Sequence, residues 1–123
     1  MRRKPFEVVA ISPRLLAMSL FQKVFGRFQH DEAACIRILF DRTQPLHDRG
    51  VAAESLYTGQ TPTATAALLR FVLDELQEVQ LREEAAGTLG DIYRAVGVDH
   101  QAVEKIPHHY RDEVLSQIST KGA

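Results

Sequence analysis

The sequence predicts an all-α fold: a single compact bundle of about five or six helices with an extended N-terminal arm. Three observations carry that expectation. Apolar residues recur every three to four positions through most of the chain, as a helix with one buried face requires. Capping residues, prolines and glycines fall where such helices would start and stop. Only one segment, Phe6-Glu7-Val8-Val9-Ala10-Ile11, favours an extended strand, and no second strand is evident to pair with it. The expected organisation is a basic arm over 1–11, one helical domain over 12–119 and a fraying tail over 120–123.

The elements follow in order. Ser12 is a good N-cap and Pro13 suits a first helical position, where a missing N–H costs nothing. Leu16, Leu20, Val24 and Phe28 then form a stripe that Phe21 and Phe25 widen. A second helix is expected from Asp31, its cap, to about Arg42, burying Cys35, Ile36, Leu39 and Phe40, with Pro45 preventing its continuation. The stretch from Gln44 to Gln60 is the least regular, with one short helix near Val51–Tyr57. Thr61 and Pro62 open the longest predicted helix, Pro62–Ala86. Its apolar side is Leu69, Val72, Leu73, Leu76 and Val79, its outer face pairs Arg70 with Asp74 and Glu78 with Arg82, and Gly87 ends it. Thr88 is expected to cap a further helix that Gly97 closes, with Asp99 capping a short helix up to Ile106. The last helix, Pro107 to Ser119, would bury Tyr110, Val114, Leu115 and Ile118. No internal repeat or low-complexity tract is expected.

Composition sets the function classes. The chain has 123 residues, 45% hydrophobic and 25% charged, with a net charge of −1. These are values of an ordinary soluble domain, with no global field towards nucleic acid or anionic membrane. The charge is unevenly spread: residues 1–30 carry +5 and residues 31–123 carry −6. A basic front end on an acidic body fits a docking arm. Cys35 is the single cysteine, so no intramolecular disulfide can form, which fits a reducing, cytoplasmic setting. Neither a secretory leader nor a membrane span is expected.

Catalytic motifs are missing: there is no glycine-rich phosphate loop, nucleophile elbow or metalloprotease helix. Glu83-Glu84 and Asp112-Glu113 are adjacent pairs, poor candidates for a carboxylate dyad. His108–Asp112 and His109–Glu113 stand at i,i+4, a spacing that can hold a metal, but nothing nearby completes a site and a solvated helix face is the expectation. No cofactor, metal or catalytic residue is assigned. Leu89 to Ile106 has the outline of a helix-turn-helix, with Gly97 at the turn and Val98, Val103 and Ile106 placed to pin the second helix. Against DNA readout stand Tyr93, where a small residue is usual, and a second helix in which Asp99 and Glu104 accompany His100, Gln101 and Lys105.

Leu39-Phe40-Asp41, followed by Leu89, Tyr93 and Gly97-Val98, looks faintly like a bacterial globin. In that pattern a Phe after the third helix packs on haem and the iron-binding His stands four residues before a Gly-Val pair. Tyr93 takes the ligand position here. The resemblance implies a haem or ligand pocket around Phe40 and Tyr93, and a tyrosinate can bind haem iron. It covers a few scattered residues, and the chain stops about one helix short, so no membership is assigned.

The leading expectation is a non-enzymatic, regulatory binding or adaptor protein that acts through protein contacts or self-association. Its partner-binding residues would be Arg2, Arg3, Lys4, Phe6 and Val8, together with the free face of the long helix. The alternatives are a DNA-binding regulator using His100, Gln101 and Lys105, and a globin-like ligand-binding protein.

Overall fold

The computed structural model describes residues 31–120. The arm, the Ser12–Phe28 helix and the partner-binding residues Arg2, Arg3, Lys4, Phe6 and Val8 lie outside the described residues. Within them the fold is all-helical, with six helices and no strand: α1 (Glu32–Phe40), α2 (Leu46–Ser55), α3 (Pro62–Leu73), α4 (Val79–Val96), α5 (His100–Lys105) and α6 (His108–Thr120).

Local chemistry explains most boundaries. Asp31, Thr61 and Asp99 each accept, through their side chains, the backbone N–H three residues on, which makes them the N-caps of α1, α3 and α5. Thr61 also donates its hydroxyl to Glu32 Oε1 at 2.6 Å, tying the start of α3 to the start of α1. Gly97 ends α4 at φ 116° and ψ 143°, a backbone conformation that a side chain resists. A Cβ there would meet nothing within 4 Å, so the cost of Gly97→Ala is conformational alone. It should lower stability by about 1–3 kcal/mol in a urea titration; an unchanged midpoint would refute this.

The long predicted helix Pro62–Ala86 is not continuous. It breaks after Leu73, and Asp74–Glu78 forms a turn. Asp74 causes the break: its carboxylate accepts from the Leu76 N–H and from Gln77 Nε2, both at 3.0 Å, so the side chain holds the chain out of helical register. The expected stripe therefore ends early. Leu76 is 74% exposed and Val79 56% exposed, whereas Leu68, Phe71 and Val72 are buried. The Arg70–Asp74 and Glu78–Arg82 pairs give way to other contacts, since Arg70 lies over the Phe40 ring and Arg82 turns inward. Gly87 and Thr88, read as a helix stop and a cap, are buried inside α4. Pro45 starts α2 rather than only stopping α1, and α2 begins at Leu46, before the expected Val51. Leu115 is exposed, while Tyr110 and Val114 are buried as expected.

The break exposes an internal repeat that the sequence pattern concealed. Asp41, Gln44, Arg49, Ala52, Ala53 and Leu56 recur as Asp74, Gln77, Arg82, Ala85, Ala86 and Leu89, a shift of 33 residues. The contacts repeat as well. Asp41 accepts from the Thr43 N–H and from Gln44 Nε2, as Asp74 does from Leu76 and Gln77. Arg49 Nε donates to the Leu39 carbonyl and Arg82 Nε to the Val72 carbonyl, each at 2.9 Å. In the third pair Arg111, again the fourth residue of its helix, donates to the Ile106 and Glu104 carbonyls. Each of the three arginines thus ties the start of a second helix to the end of the first.

The pairs α1–α2, α3–α4 and α5–α6 stack in order, an arrangement of the α-solenoid type. The second helices α2, α4 and α6 pack side by side in one layer, and α1 and α3 form the other. Two of the arginines also join neighbouring pairs. Arg49 lies 5.8 Å from the Phe71 ring centroid and Arg82 lies 4.3 Å from that of Tyr110. The core between the layers includes Leu39, Leu56, Leu68, Phe71, Leu89 and Ile92.

The repeated turns carry a pH dependence. Hydrogen bonds from Thr43 hold the Asp41 carboxyl below its ordinary value of 3.8, and the Leu76 N–H with Gln77 does the same for Asp74. A carboxyl whose folded value is depressed stabilises the fold above its unfolded value, and that contribution is lost as pH falls through the folded value. Stability followed by urea titration should therefore decline below about pH 4. The decline should be shallower in Asp41→Asn with Asp74→Asn, and equal slopes would contradict the assignment.

Candidate functional site

The layer of second helices contains a groove of about 590 Å³, with walls from α2, α4 and α6. The stacking register builds it. From α2 come Leu46, His47, Gly50, Val51 and Glu54, and from α4 come Gln80, Leu81, Glu83 and Glu84. α6 adds Glu113. Gly50 keeps the floor low, as its missing side chain leaves the Leu81 methyl 4.0 Å from where a Cβ would stand. Leu46 is the exposed apolar residue of the lining, with Val51 and Leu81 largely buried beneath. Glu54, Glu83, Glu84 and Glu113 place carboxylates around it, and among the described residues no lysine or arginine lines it.

The acidic wall is anchored at Glu83. Glu83 Oε2 lies 2.7 Å from His109 Nε2, and the His109 ring meets Tyr110 edge-to-face with centroids 4.8 Å apart. Tyr110 in turn lies under the Arg82 guanidinium. The arginine that joins two pairs thus also positions the residues beside the groove.

His100, Gln101 and Lys105, the candidate DNA-contact residues, do not line this groove. They are exposed along α5, a helix of six residues whose buried side is Ala102 and Val103. Glu104 is exposed beside them. The outline at Leu89–Ile106 is the end of α4, the Gly97 turn and α5, so its first helix is the last part of an 18-residue helix rather than a separate short one. Tyr93 is buried in the core, and burial, then the nearby Asp99 charge, push its phenol up, towards the neutral form. Phe40 packs edge-to-face on Phe71 with centroids 5.2 Å apart. Both aromatics are used for packing.

His108 pairs with Asp112 at 3.4 Å on the open face of α6, whereas His109 turns to Glu83 rather than to Glu113. Among the described residues no group of histidine, cysteine and carboxylate side chains could hold a metal ion. Cys35 is buried in the core, and burial with the nearby Asp31 and Glu32 charges pushes its thiol up to about 11. It is therefore a packing residue and a poor nucleophile. No helix among the described residues is long and apolar enough to cross a membrane.

The groove residues carried no motif. Glu83-Glu84 was read as a divergent pair, yet both line the groove, because it is wide enough to be reached from neighbouring positions of α4. The one sequence signal was the shift of 33 residues, which stacks α2 beside α4. No family model, curated protein or solved structure matches the chain.

Proposed function

We propose that the chain is a non-enzymatic binding protein that works through protein contacts, and that the groove across α2, α4 and α6 is its interface. The observation that supports this is the groove itself, lined by both apolar and carboxylate side chains and built by three successive helix pairs. Stacked helix pairs present extended binding surfaces of this kind. The two site groups expected from sequence contribute differently to this reading. The basic arm lies outside the described residues. The face of α5 that holds His100, Gln101 and Lys105 carries the exposed Glu104 among them, a charge that opposes a phosphate backbone.

Site-specific photo-crosslinking tests the proposal. A benzophenone amino acid at Gln80, in the groove, should give a discrete protein adduct in native extracts. The same group at Glu75, exposed on the α3–α4 turn, should not. Equal adducts from both positions, or none from any exposed position, would refute the reading.

A further inference from the structure

We infer that the outer face of α6, made by Arg111, Leu115 and Ser119, docks an amphipathic helix of a partner protein, with an aromatic side chain on the Arg111 guanidinium and an aliphatic one beside Leu115. This is a second contact surface, and it does not depend on the groove being an interface.

The repeat identifies the face. On α4, Arg82, Ala86, Gly90 and Arg94 follow one another at i,i+4 and so form one stripe along the helix. α6 lies on that stripe: Tyr110 meets the Arg82 guanidinium, Val114 and Gln117 come against Gly90, and the Gln117 carbonyl accepts from Arg94. Arg111 stands in α6 where Arg82 stands in α4, and the same register makes Leu115 the counterpart of Ala86 and Ser119 that of Gly90. What differs is coverage. Ala53 and Ala86, at this position of α2 and α4, are completely buried, whereas Leu115 is 43% exposed and Ser119 is exposed. Arg49 and Arg82 each lie against a ring of the following pair. Arg111 is fixed by carbonyls as they are, yet among the described residues no ring lies over it. A terminal pair that only caps a stack presents a polar outer face; α6 has a leucine there instead, larger than the alanines it replaces.

The occupant follows from the same register. The stripe on α4 takes a helix that brings an aromatic side chain and, one turn later, an aliphatic one, Tyr110 and Val114. A helix presenting that pair to α6 sets its ring on Arg111, where the guanidinium attracts it, and covers Leu115. Ser119, small like Gly90, lets the two backbones approach. Asp112 beside this face is already paired with His108, so ring and apolar contacts rather than unmatched charge carry the docking. α6 has 13 residues, about 20 Å of helix. A helix laid along it covers less than the roughly 800 Å² per partner of a standard interface, which sets the affinity in the micromolar range.

Fluorescence anisotropy with the full chain tests this. The probe is a fluorescein-labelled, alanine-rich helical peptide that carries tyrosine, valine and glutamine at the spacing of Tyr110, Val114 and Gln117. Saturable binding is expected, little changed between low and physiological salt. Replacing the tyrosine of the peptide by alanine should weaken binding about threefold or more. Leu115→Lys and Ser119→Arg should each weaken it more than about tenfold, while retaining the wild-type circular dichroism melt, because both side chains are exposed. Leu76→Lys, on the α3–α4 turn, removes a still barer leucine and should leave binding unchanged. Undiminished binding by either α6 variant overturns the inference, since the peptide would then have displaced α6 from α4 or bound elsewhere. Equal losses in Leu76→Lys and Leu115→Lys overturn it as non-specific apolar contact, and so does a wild-type chain that shows no saturable binding. A chain that sediments as a dimer, and as a monomer with Leu115→Lys, assigns the face to a second copy and overturns it as well. A Gln80 adduct in native extracts is compatible with each of these results, so the groove reading stands or falls separately.

Discussion

Arg49→Ala should destabilise the fold by about 3 kcal/mol or more, the usual cost of removing one member of a buried charged network. Arg49 is 1% exposed. Its Nε donates to the Leu39 carbonyl at 2.9 Å, its Nη2 to Gln77 Oε1 at 2.8 Å and its Nη1 to Glu78 Oε1 at 3.3 Å. Truncation leaves the carbonyl at the end of α1 and the buried Gln77 amide without this donor, and opens a void beside Phe71. Arg49→Lys should recover little, because an ammonium cannot reach three acceptors that lie in a planar fork. The repeat supplies internal controls. Arg82 bonds the Val72 carbonyl and stacks on Tyr110, and among the described residues Arg111 bonds carbonyls of its own pair. Urea titrations should rank the three alanine variants Arg49, Arg82, Arg111 in falling cost. The Arg111 loss should be close to 1 kcal/mol, that of ordinary hydrogen bonds at a half-buried site. A flat series would mean that the arginines do not join the pairs.

How much of this was legible from sequence divides by range. Features set within one turn were readable: the Asp31, Thr61 and Asp99 caps, the Gly97 stop and the start of the last helix at Pro107 follow from backbone chemistry at single positions. The break at Asp74 was not, because the apolar spacing runs on through Leu73, Leu76 and Val79 as if one helix continued. What interrupts it is a side chain bonding its own backbone, a competition that spacing does not record. A continuous Pro62–Ala86 helix makes Gly87 and Thr88 a stop and a cap, whereas they lie inside α4.

The repeat was hidden for a related reason. Its marks are polar: Asp41 with Gln44 and Arg49, then Asp74 with Gln77 and Arg82. Polar residues are ordinarily read as surface. Here both arginines are buried and hold helix ends together. The groove was less legible still, since Glu54, Glu83 and Glu113 belong to three helices and share a wall only through the stacking of α2, α4 and α6.

Gly90→Ala should cost about 2 kcal/mol or more, and Gly90→Val more again, by overpacking at a close approach of α4 and α6. A Cβ on Gly90 would stand 2.5 Å from the Val114 carbonyl oxygen, 2.8 Å from Gln117 Cβ and 3.2 Å from the Val114 carbonyl carbon. Two of these atoms are backbone, so relief requires moving α6 as a body rather than turning a side chain. The neighbourhood resists such a shift. Arg94 Nη1 donates to the Gln117 carbonyl at 3.0 Å and the guanidinium pairs with the buried Asp91 at 3.6 Å, while Val114 is fully buried. The intrinsic preference of a helix for alanine over glycine, about 1 kcal/mol, acts in the opposite direction and sets the size of clash needed. The sign of the result therefore decides between two accounts. A loss in melting temperature of several degrees, the scale set by the entropy of unfolding for a domain of this size, identifies Gly90 as the contact that lets α6 seat on α4. A gain would mean that the two helices stand further apart, and the α6 wall of the groove, with Glu113, would move with them.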